Sequence, residues 1–375
     1  MDKIKSMKRA LLITGIYPPD IGGPATYVPQ LELFLRGQGW EVEVLTLTDC
    51  ETNWTSFSEG VMRVRRSLPL PVRVGITVLE GCRRARRVDV ILANGLHEEA
   101  AFISVLSQRP LVAKVVGNPV WEKLHSSSDF TTLSEEDFIN FQVVSLNRRF
   151  RLRMKSWLWA LKKAKALYVP GIILKDFLKF SGLQNEIHVV PNAVPVIDLN
   201  EVVKEVDVVT VSRLVPWKNI DILIQSAKQK GFTLDIIGHG PQEGFLREVA
   251  SGAPNIRFLG RLEPEEVLVH LKKARIFALL SSYEGMSFAL VEALALGLPC
   301  VVSDIRSNGN VVDAGGGVKV PLRDSIITGE VIAGLLENEV QLMDLQQMAL
   351  DNSRRNFNTN LTLERVERIL SQYAR

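Results

Sequence analysis

Short apolar runs alternate with helix-forming stretches along almost the whole chain. The runs include RALLITGI, EVEVLTLT and DVILANG in the first half, and VDVVTVSRL, FTLDIIG and IFALLS in the second. Helical patterns lie between them, at 26–38, 220–230, 243–250, 264–274, 288–296 and 361–373. This alternation is typical of parallel βαβ units. The sequence therefore predicts an α/β protein built on parallel sheets.

The length of the chain indicates two domains. It has 375 residues, more than the ~250–300 that a single hydrophobic core usually serves. The segment from Pro191 to Asp207 interrupts the periodicity with two prolines, which is typical of a linker. We expect two Rossmann-like domains, 1–196 and 197–355, with a closing helix in 356–375 that can cross back to the first. Doubly wound sheets bind ligands at the carboxyl ends of their strands, so the two domains would face each other across a cleft.

The charge of the chain is unevenly distributed. Residues 1–200 carry 26 Lys/Arg against 20 Asp/Glu, whereas the remainder carries 19 against 22. One basic run, from Arg148 to Lys165, contains Trp157 and Trp159. Such a helix can lie on an anionic membrane surface, or it can be a solvated helix whose tryptophans pack inward. Both interpretations stay open from the sequence.

The cysteines and the apolar stretches indicate the cellular compartment of the protein. Cys50, Cys82 and Cys300 are widely spaced without a CxxC pair, so neither a disulfide framework nor a zinc site is indicated. The start resembles a signal peptide, but its apolar run is short and ends in Pro18-Pro19. No stretch approaches the ~20 apolar residues that cross a bilayer. We expect a cytoplasmic protein with at most peripheral contact with the inner face of the membrane.

Two motifs could bind phosphate. Gly22 and Gly23 separate the first predicted strand from the first helix, where glycines allow close approach and a helix start offers N–H groups. A Gly-Gly pair alone is more often a tight turn. Arg213 and Lys218 follow a strand in VSRLVPWKNID. A guanidinium and an ammonium together suit a diphosphate, although solvated surface charge would explain either residue alone.

A third motif places two acids around a helix start. Glu284 precedes and Glu292 lies within the helix predicted in YEGMSFALVEALALG. Ser287 is the predicted N-cap, so nearby backbone N–H groups would point at an anion. Acids would repel a phosphate, and carboxylates accept hydrogen bonds from sugar hydroxyls. Alternatively, Glu284 makes a turn contact and Glu292 is an ordinary exposed acid.

Several ordered segments resemble family-4 glycosyltransferases, which are retaining enzymes of the GT-B fold. The resemblance rests on the spacing Glu284-x7-Glu292 and on GGPATYVPQL, VVPNAV, VSRLVPWKNIDILIQSA, LDIIGHGPQEGFLREVA and NIRFLGRLEPEEVLVHLKKARIFALLSS. It extends over nearly the whole chain. It implies two doubly wound domains and transfer of a hexosyl unit from a nucleotide-diphosphate sugar.

The resemblance also implies residue roles. Arg213 and Lys218 would hold the donor diphosphate and help the nucleotide leave, Glu284 would face the donor sugar, and Glu292 would bind the ribose hydroxyls. Further donor contacts implied are Gly22, Gly23, Gly240, Arg261, Leu262, Gly285, Met286, Ser287 and Phe288. Neither a metal nor a cofactor other than the donor itself is implied.

One position departs from the family pattern. Many members carry a histidine after the fifth strand, where this chain reads AKVVGNPVWEK with Asn118. His97 follows the preceding strand and could face the same cleft, or it could be an ordinary loop histidine. His97 and Asn118 are therefore candidates for the acceptor side, and we assign neither a base role.

Other functions remain possible from the sequence. A nicotinamide oxidoreductase would need G-x-G-x-x-G after a strand, and GHGPQEG misses that spacing. A nucleotide-sugar epimerase of the same fold and a non-catalytic nucleotide-sugar-binding protein are the main alternatives. The partners expected are a nucleotide sugar, a glycan or lipid-linked acceptor of polysaccharide or envelope synthesis, and an anionic membrane surface. A nucleic acid is not expected.

Overall fold

The computed structural model describes residues 7–20, 23–49, 53–125, 134–141, 147–194 and 202–374. Gly22 and Cys50 therefore lie outside the described residues. Within them the chain forms two sheets, each covered by helices on both faces. The predicted α/β architecture of two parallel-sheet domains is confirmed.

Among the described residues, the first sheet contains eight strands in the order β3-β4-β2-β1-β5-β6-β7-β8. The strands are β1 Arg9–Thr14, β2 Glu41–Thr48, β3 Thr55–Ser58, β4 Val61–Arg65, β5 Val90–Asn94, β6 Leu111–Lys114, β7 Ala166–Val169 and β8 Glu186–Val189. Of these eight described strands, only β3 runs antiparallel to its neighbour. Strand β3 was not predicted, because its residues lack an apolar run. Its side chains are half-buried or exposed, and the buried side chains of this pair come from β4, where Val61 is one of them.

Seven helices in the described part of the chain accompany the first sheet. They are α1 Gly23–Gly37, α2 Leu70–Ala85, α3 His97–Ser107, α4 Pro119–His125, α5 Glu135–Ile139, α6 Arg148–Lys163 and α7 Ile172–Phe180. Helix α1 starts earlier than the predicted position 26, because Pro24 is tolerated in a first helical turn, where its missing N–H would have no partner.

The central strands are buried on both faces because helices cover both. In β1, Leu11 and Ile13 pack in the cluster that contains Trp157, whereas Leu12 faces the opposite cluster with Leu31. Successive side chains of a strand point to opposite faces, so a strand between two helical layers is apolar throughout. This explains the continuous apolar runs of the sequence.

The second sheet, within the described ranges, contains six parallel strands in the order β11-β10-β9-β12-β13-β14. They are β9 Val206–Val211, β10 Leu234–Ile237, β11 Ile256–Gly260, β12 Ala274–Leu279, β13 Cys300–Ser303 and β14 Gly317–Val320. Its helices are α8 Ile220–Lys230, α9 Glu243–Val249, α10 Pro264–Lys273, α11 Phe288–Ala295, α12 Arg306–Val312, α13 Ser325–Glu337 and α14 Glu339–Asn356. The helices predicted from periodicity are all present.

The last helix, α15 Thr359–Tyr373, packs against the first sheet rather than the second. Its residues Val366 and Leu370 share a buried cluster with Leu12 and Val90. The indole N–H of Trp40 also donates to Glu367 at 3.2 Å. The end of the chain is therefore anchored on the domain that contains its start.

Direct contacts join the two domains. Glu135 of α5 accepts from the backbone N–H groups of Arg306 (2.9 Å) and Ser307 (2.8 Å) at the start of α12. Gly171, ahead of α7, lies so close to the loop before α11 that a Cβ there would be 2.2 Å from the carbonyl oxygen of Gly285. These contacts set how the loops of the two sheets face each other.

Candidate functional site

The loops after β9 and β12 bring the predicted diphosphate and sugar residues together. Lys218 ends a short 3₁₀ turn after β9, and Glu284 lies between β12 and α11. Their side chains form an ion pair. The hydroxyl of Ser281 also donates to Glu284 at 2.6 Å. The side chains of Lys218 and Glu284 are only 14% and 9% exposed, so the pair is held in a partly water-excluded position.

This pairing is a contact of Glu284 that the resemblance did not imply. The resemblance implied separate contacts, with Lys218 on the diphosphate and Glu284 on the sugar. In the structure the carboxylate binds the ammonium and thereby orients it. A carboxylate at this place can hold the lysine in position while leaving its other oxygen for a hydroxyl, since an ionised carboxyl group has about four acceptor sites. Whether Glu284 contacts the sugar stays a prediction.

Arg213 has the opposite environment. It is exposed and, within the described part of the chain, its guanidinium forms neither a hydrogen bond nor an ion pair. Its five donors therefore remain available to an anionic ligand. The loop is held by Gly240: a Cβ at that position would lie 2.3 Å from the carbonyl oxygen of Leu214. Gly240 thus has a packing role next to Arg213, and its contact with a donor stays a prediction.

The start of α11 has the predicted cap. The hydroxyl of Ser287 accepts from the N–H of Leu290 at 3.3 Å, which confirms Ser287 as the N-cap. Met286 lies against the segment that joins the domains, and its sulfur accepts from the N–H of Asn192 at 3.1 Å. Phe288 is 50% exposed. The helix start therefore faces the space between the domains.

Glu292 lies on α11 and lines a cavity of about 270 Å³ between the domains. No described residue bonds to its carboxylate. Burial raises the pKa of Glu292 from 4.5 to about 7, because desolvation disfavours the charged form. A half-buried carboxylate without a partner among the described residues is a good acceptor for hydroxyl groups of a ligand.

The same cavity is lined from the first domain and from the C-terminal helix. Gly23 lies at the start of α1, and a Cβ there would meet nothing within 4 Å. Tyr27, Lys114 and Tyr168 line the cavity more deeply, and Thr362 comes from α15. Gly23 and Glu292, predicted from separate motifs, are thus brought to one cavity. Arg261 is exposed and Leu262 packs partly against the core of the second domain, outside the lining of this cavity.

The two candidates for the acceptor side are engaged in the structure. Both ring nitrogens of His97 have partners: Nε2 lies 2.8 Å from the carbonyl of Lys114, and Nδ1 accepts from Trp157 at 3.3 Å. Burial lowers the pKa of His97, which favours the neutral ring. His97 still lines a second pocket, together with Val116 and Gly117. The absence of an assigned base role fits this geometry.

Asn118 is completely buried and caps α4. Its Oδ1 accepts from the N–H groups of Val120 (3.0 Å) and Trp121 (3.1 Å). Asparagine before proline at a helix start is a strong N-cap signal, which the sequence analysis did not use. The structure favours a structural role for Asn118, and its contact with an acceptor stays a prediction.

Sequence reasoning missed Lys114, Tyr27 and Tyr168 as cavity residues. Lys114 ends the apolar strand LVAK and is only 8% exposed. A charged residue at the end of a fully buried strand was a usable signal, because lysine is almost never buried without a partner. The tyrosines carried no comparable signal, since aromatic side chains at helical or strand spacing usually belong to a core.

No helix among the described residues combines the length and apolarity needed to span a bilayer. In α6, Trp157 is buried in the core and Trp159 packs against Phe102 with ring centroids 4.9 Å apart. The tryptophans therefore pack inward, as the second of the two interpretations required. The exposed face of α6 nevertheless carries Arg148, Arg149 and Arg151.

Comparisons with known proteins find similar sequences. Residues 197–356 match the family model described as glycosyl transferases group 1. A GDP-mannose-dependent monoacylated alpha-(1-6)-phosphatidylinositol monomannoside mannosyltransferase of Corynebacterium glutamicum is 24% identical over 368 residues, which cover 90% of this chain and 91% of that protein. A phosphatidyl-myo-inositol mannosyltransferase of Mycobacterium leprae is 24% identical over 345 residues, covering 85% of each.

Solved structures share the fold. Anabaena HepE in complex with UDP matches with a TM-score of 0.68 and 17% identity over 98% of this chain and 100% of that one. Sucrose-phosphate synthase from Thermosynechococcus elongatus matches with a TM-score of 0.69 and 17% identity, over 97% and 98% of the two chains. The predicted GT-B fold is confirmed.

Proposed function

We propose that the chain, whose residues 197–356 match the family model of the glycosyl transferases group 1, is a retaining, metal-independent glycosyltransferase. It would move a hexosyl unit from a nucleotide-diphosphate sugar to a hydroxyl of a glycan or lipid-linked acceptor in polysaccharide or envelope synthesis. The two full-length relatives support this acceptor class, since their names describe mannosyl transfer to phosphatidylinositol compounds.

The observation that carries the proposal is the arrangement around α11. The buried pair of Lys218 and Glu284 lies before the helix start, and the unpartnered carboxylate of Glu292 lines the interdomain cavity beyond it. One elongated ligand could therefore place its sugar and phosphates near the first pair and its ribose near Glu292.

The chemistry follows from where charge develops. As the bond between the sugar C1 and the diphosphate oxygen breaks, negative charge grows on the leaving diphosphate. Arg213 and Lys218 provide preorganised positive charge there, which lowers the barrier. The acceptor hydroxyl forms the new C1–O bond on the same face and passes its proton to an oxygen of the departing diphosphate. A protein base is then unnecessary, consistent with the bonded state of both His97 nitrogens.

Product analysis tests this function. The purified protein would be incubated with UDP-, GDP- and ADP-sugars and a lipid-linked or glycan acceptor, with and without EDTA. We expect one donor to release its nucleoside diphosphate, a product whose anomeric configuration by NMR matches the donor, and the same rate in EDTA. Inversion of configuration, or loss of activity in EDTA, would contradict the mechanism. Turnover of the donor without nucleotide release would instead indicate an epimerase.

The membrane surface and the cytoplasmic location belong to the same proposal. A lipid-linked acceptor would require the protein to approach a membrane. The basic face of α6 suits an anionic surface, because exposed cationic side chains are attracted to anionic lipids. We therefore propose peripheral contact with the cytoplasmic face of the membrane through α6.

A further inference from the structure

Lys114 occupies an unusual position for a lysine. It is the last residue of β6, lies opposite Tyr168 of β7, and lines the interdomain cavity. Its side chain is almost completely withdrawn from solvent, and Nζ lies 3.2 Å from the centroid of the Tyr27 ring. The lysine thus reaches from the first sheet into the space that α11 of the second domain borders.

The ammonium has no anionic partner. Among the described residues, Lys114 Nζ forms neither a hydrogen bond nor an ion pair, and its only charge-related contact is with the Tyr27 ring. The hydroxyls of Tyr27 and Tyr168 bond to each other at 3.0 Å. A buried cation without an anion costs several kcal/mol and is therefore rare. Burial accordingly lowers the pKa of Lys114 to about 7.

The surroundings of Lys114 indicate the missing anion. The cavity is also lined by Gly23 at the start of α1, a helix of 15 residues whose N-terminus carries positive potential. Across the cavity, Glu292 offers a hydroxyl acceptor and Phe288 an apolar surface. A cation beside a hydroxyl acceptor matches the phosphate and ribose of one nucleotide.

We propose that Lys114 is a donor-binding residue, contributed by the first domain, whose ammonium binds the diphosphate of the nucleotide sugar in addition to Arg213 and Lys218. This inference rests on the proposed function and extends it. The donor would then be held by cations from both domains, so that its binding fastens the two sides of the cavity together.

Calorimetry with nucleotides tests the proposal. Wild-type protein, Lys114→Met and Lys114→Gln would be titrated with UDP, GDP and ADP. The affinity of the matching nucleosides would be measured by their displacement of the bound diphosphate. We expect the diphosphate that the wild type binds to lose about ten- to hundredfold in affinity in both variants, as for one charged hydrogen bond. The affinity of the nucleoside should change less than about twofold, which would also show that the cavity is intact. Two variants are used so that a folding defect in one leaves the other informative.

Lys230→Met is the matched control, because it removes the same ammonium from an exposed lysine at the end of α8, outside the cavity. Its diphosphate affinity should remain within about twofold of the wild type. An unchanged diphosphate affinity in the Lys114 variants, or parallel losses for diphosphate and nucleoside, would overturn the role of Lys114 and leave the proposed function standing. A wild-type protein that binds none of the three diphosphates would overturn both.

Discussion

The two cationic residues Lys218 and Arg213 of the second domain differ in how they are prepared for a ligand. Lys218 is oriented by Glu284, whereas Arg213 is exposed without a partner in the described part of the chain. Preorganised charge needs no rearrangement as the reaction proceeds. We therefore expect Lys218 to stabilise the negative charge that develops on the leaving diphosphate, and Arg213 to bind the donor as it enters.

Replacing either cation should slow the reaction. We expect Lys218→Ala and Arg213→Ala to lower turnover at least about ten- to hundredfold, because each removes a charged hydrogen bond worth ~1.5–3 kcal/mol. The rate of nucleoside diphosphate release measures this. Lys230→Ala, an exposed lysine at the end of α8, is the control and should keep its turnover. Near-normal turnover in either cleft variant would exclude that residue from the role.

The pKa of Glu292 predicts a pH dependence of stability. Its carboxyl group has a pKa of about 7 in the folded protein against an ordinary 4.5, so between these values the folded state binds more protons than the unfolded state. Stability must then fall as pH rises through this window. We expect Glu292→Gln to be more stable than the wild type at pH 8, by on the order of 1–3 kcal/mol, and about equal at pH 4.5.

Urea unfolding at the two pH values gives the comparison for Glu292. If the difference in free energy of unfolding between variant and wild type is the same at both pH values, the raised pKa of Glu292 is contradicted. In the same variant, the affinity for the nucleoside part of the donor should fall, since an amide is a weaker acceptor than a carboxylate. Unchanged nucleoside binding would argue against the ribose contact.

Helices and loops place these side chains. The loop before α11 is confined on one side by Gly171 and on the other by Asn192. Helix α6 turns its tryptophans inward and its arginines outward. The position of an element, rather than its composition, thus determines which of its residues can meet a ligand or a surface.

Adding a methyl group at Gly171 should disturb the site from the other domain. The Cβ of Gly171→Ala would lie 2.2 Å from a backbone carbonyl, which cannot move as a flexible side chain can. The loop at Gly285 must shift, and a misplacement of about 1 Å can lower turnover about hundredfold. Steady-state kinetics would detect this. The control is Gly334→Ala in α13, where a Cβ meets nothing within 4 Å. Wild-type kinetics in Gly171→Ala would show that the close approach of Gly171 to Gly285 does not matter for turnover.

Neutralising the exposed face of α6 tests membrane contact. The triple change of Arg148, Arg149 and Arg151 to Gln should weaken binding to vesicles with anionic lipids, by about 1 kcal/mol for each charge at low salt. Cosedimentation with vesicles of phosphatidylglycerol and phosphatidylcholine measures this. Changing Arg354 and Arg355, at the end of α14 in the second domain, provides the comparison. Equal losses of vesicle binding in the α6 variant and in the α14 variant would contradict a specific role for α6.

The two domains are joined by polar contacts as well as by packing. Glu135 caps α12 across the domain boundary, and Asp176 pairs with Arg306 at 2.7 Å. Helix α15 then returns to the first sheet. The cavity with Lys114 and Glu292 is lined from both domains and from α15, so the docking of these elements shapes the cavity.

Removing the cap at α12 should loosen the docking of the domains. Glu135→Ala leaves two N–H groups without their carboxylate, at a cost of about 1–3 kcal/mol. We expect faster hydrogen exchange at the amides of Arg306 and Ser307, measured by mass spectrometry. Glu136→Ala, at the exposed neighbouring position, should leave the exchange of these amides unchanged. Identical exchange in the wild type and in Glu135→Ala would show that the cap does not hold the domains.

Local patterns in the sequence determined the elements of this protein. The strands and helices follow from apolar periodicity, and Ser287 was identifiable as an N-cap, because these features depend on neighbours within a few positions. The motif residues Glu284 and Glu292 were located in the same way, although their roles were implied by resemblance. Strand β3 carried a weaker signal and was missed, and the stronger N-cap signal of Asn118 before a proline was overlooked.

The tertiary structure decided which residues meet. Lys218 and Glu284 are 66 positions apart, Glu135 and Ser307 are 172 apart, and Lys114 shares a cavity with Glu292 of the other domain. No periodicity encodes such pairs, because they arise from how two sheets and the returning α15 dock. The sequence therefore determined the chemical groups that the protein carries, and only the packing of its domains determined which groups share a site.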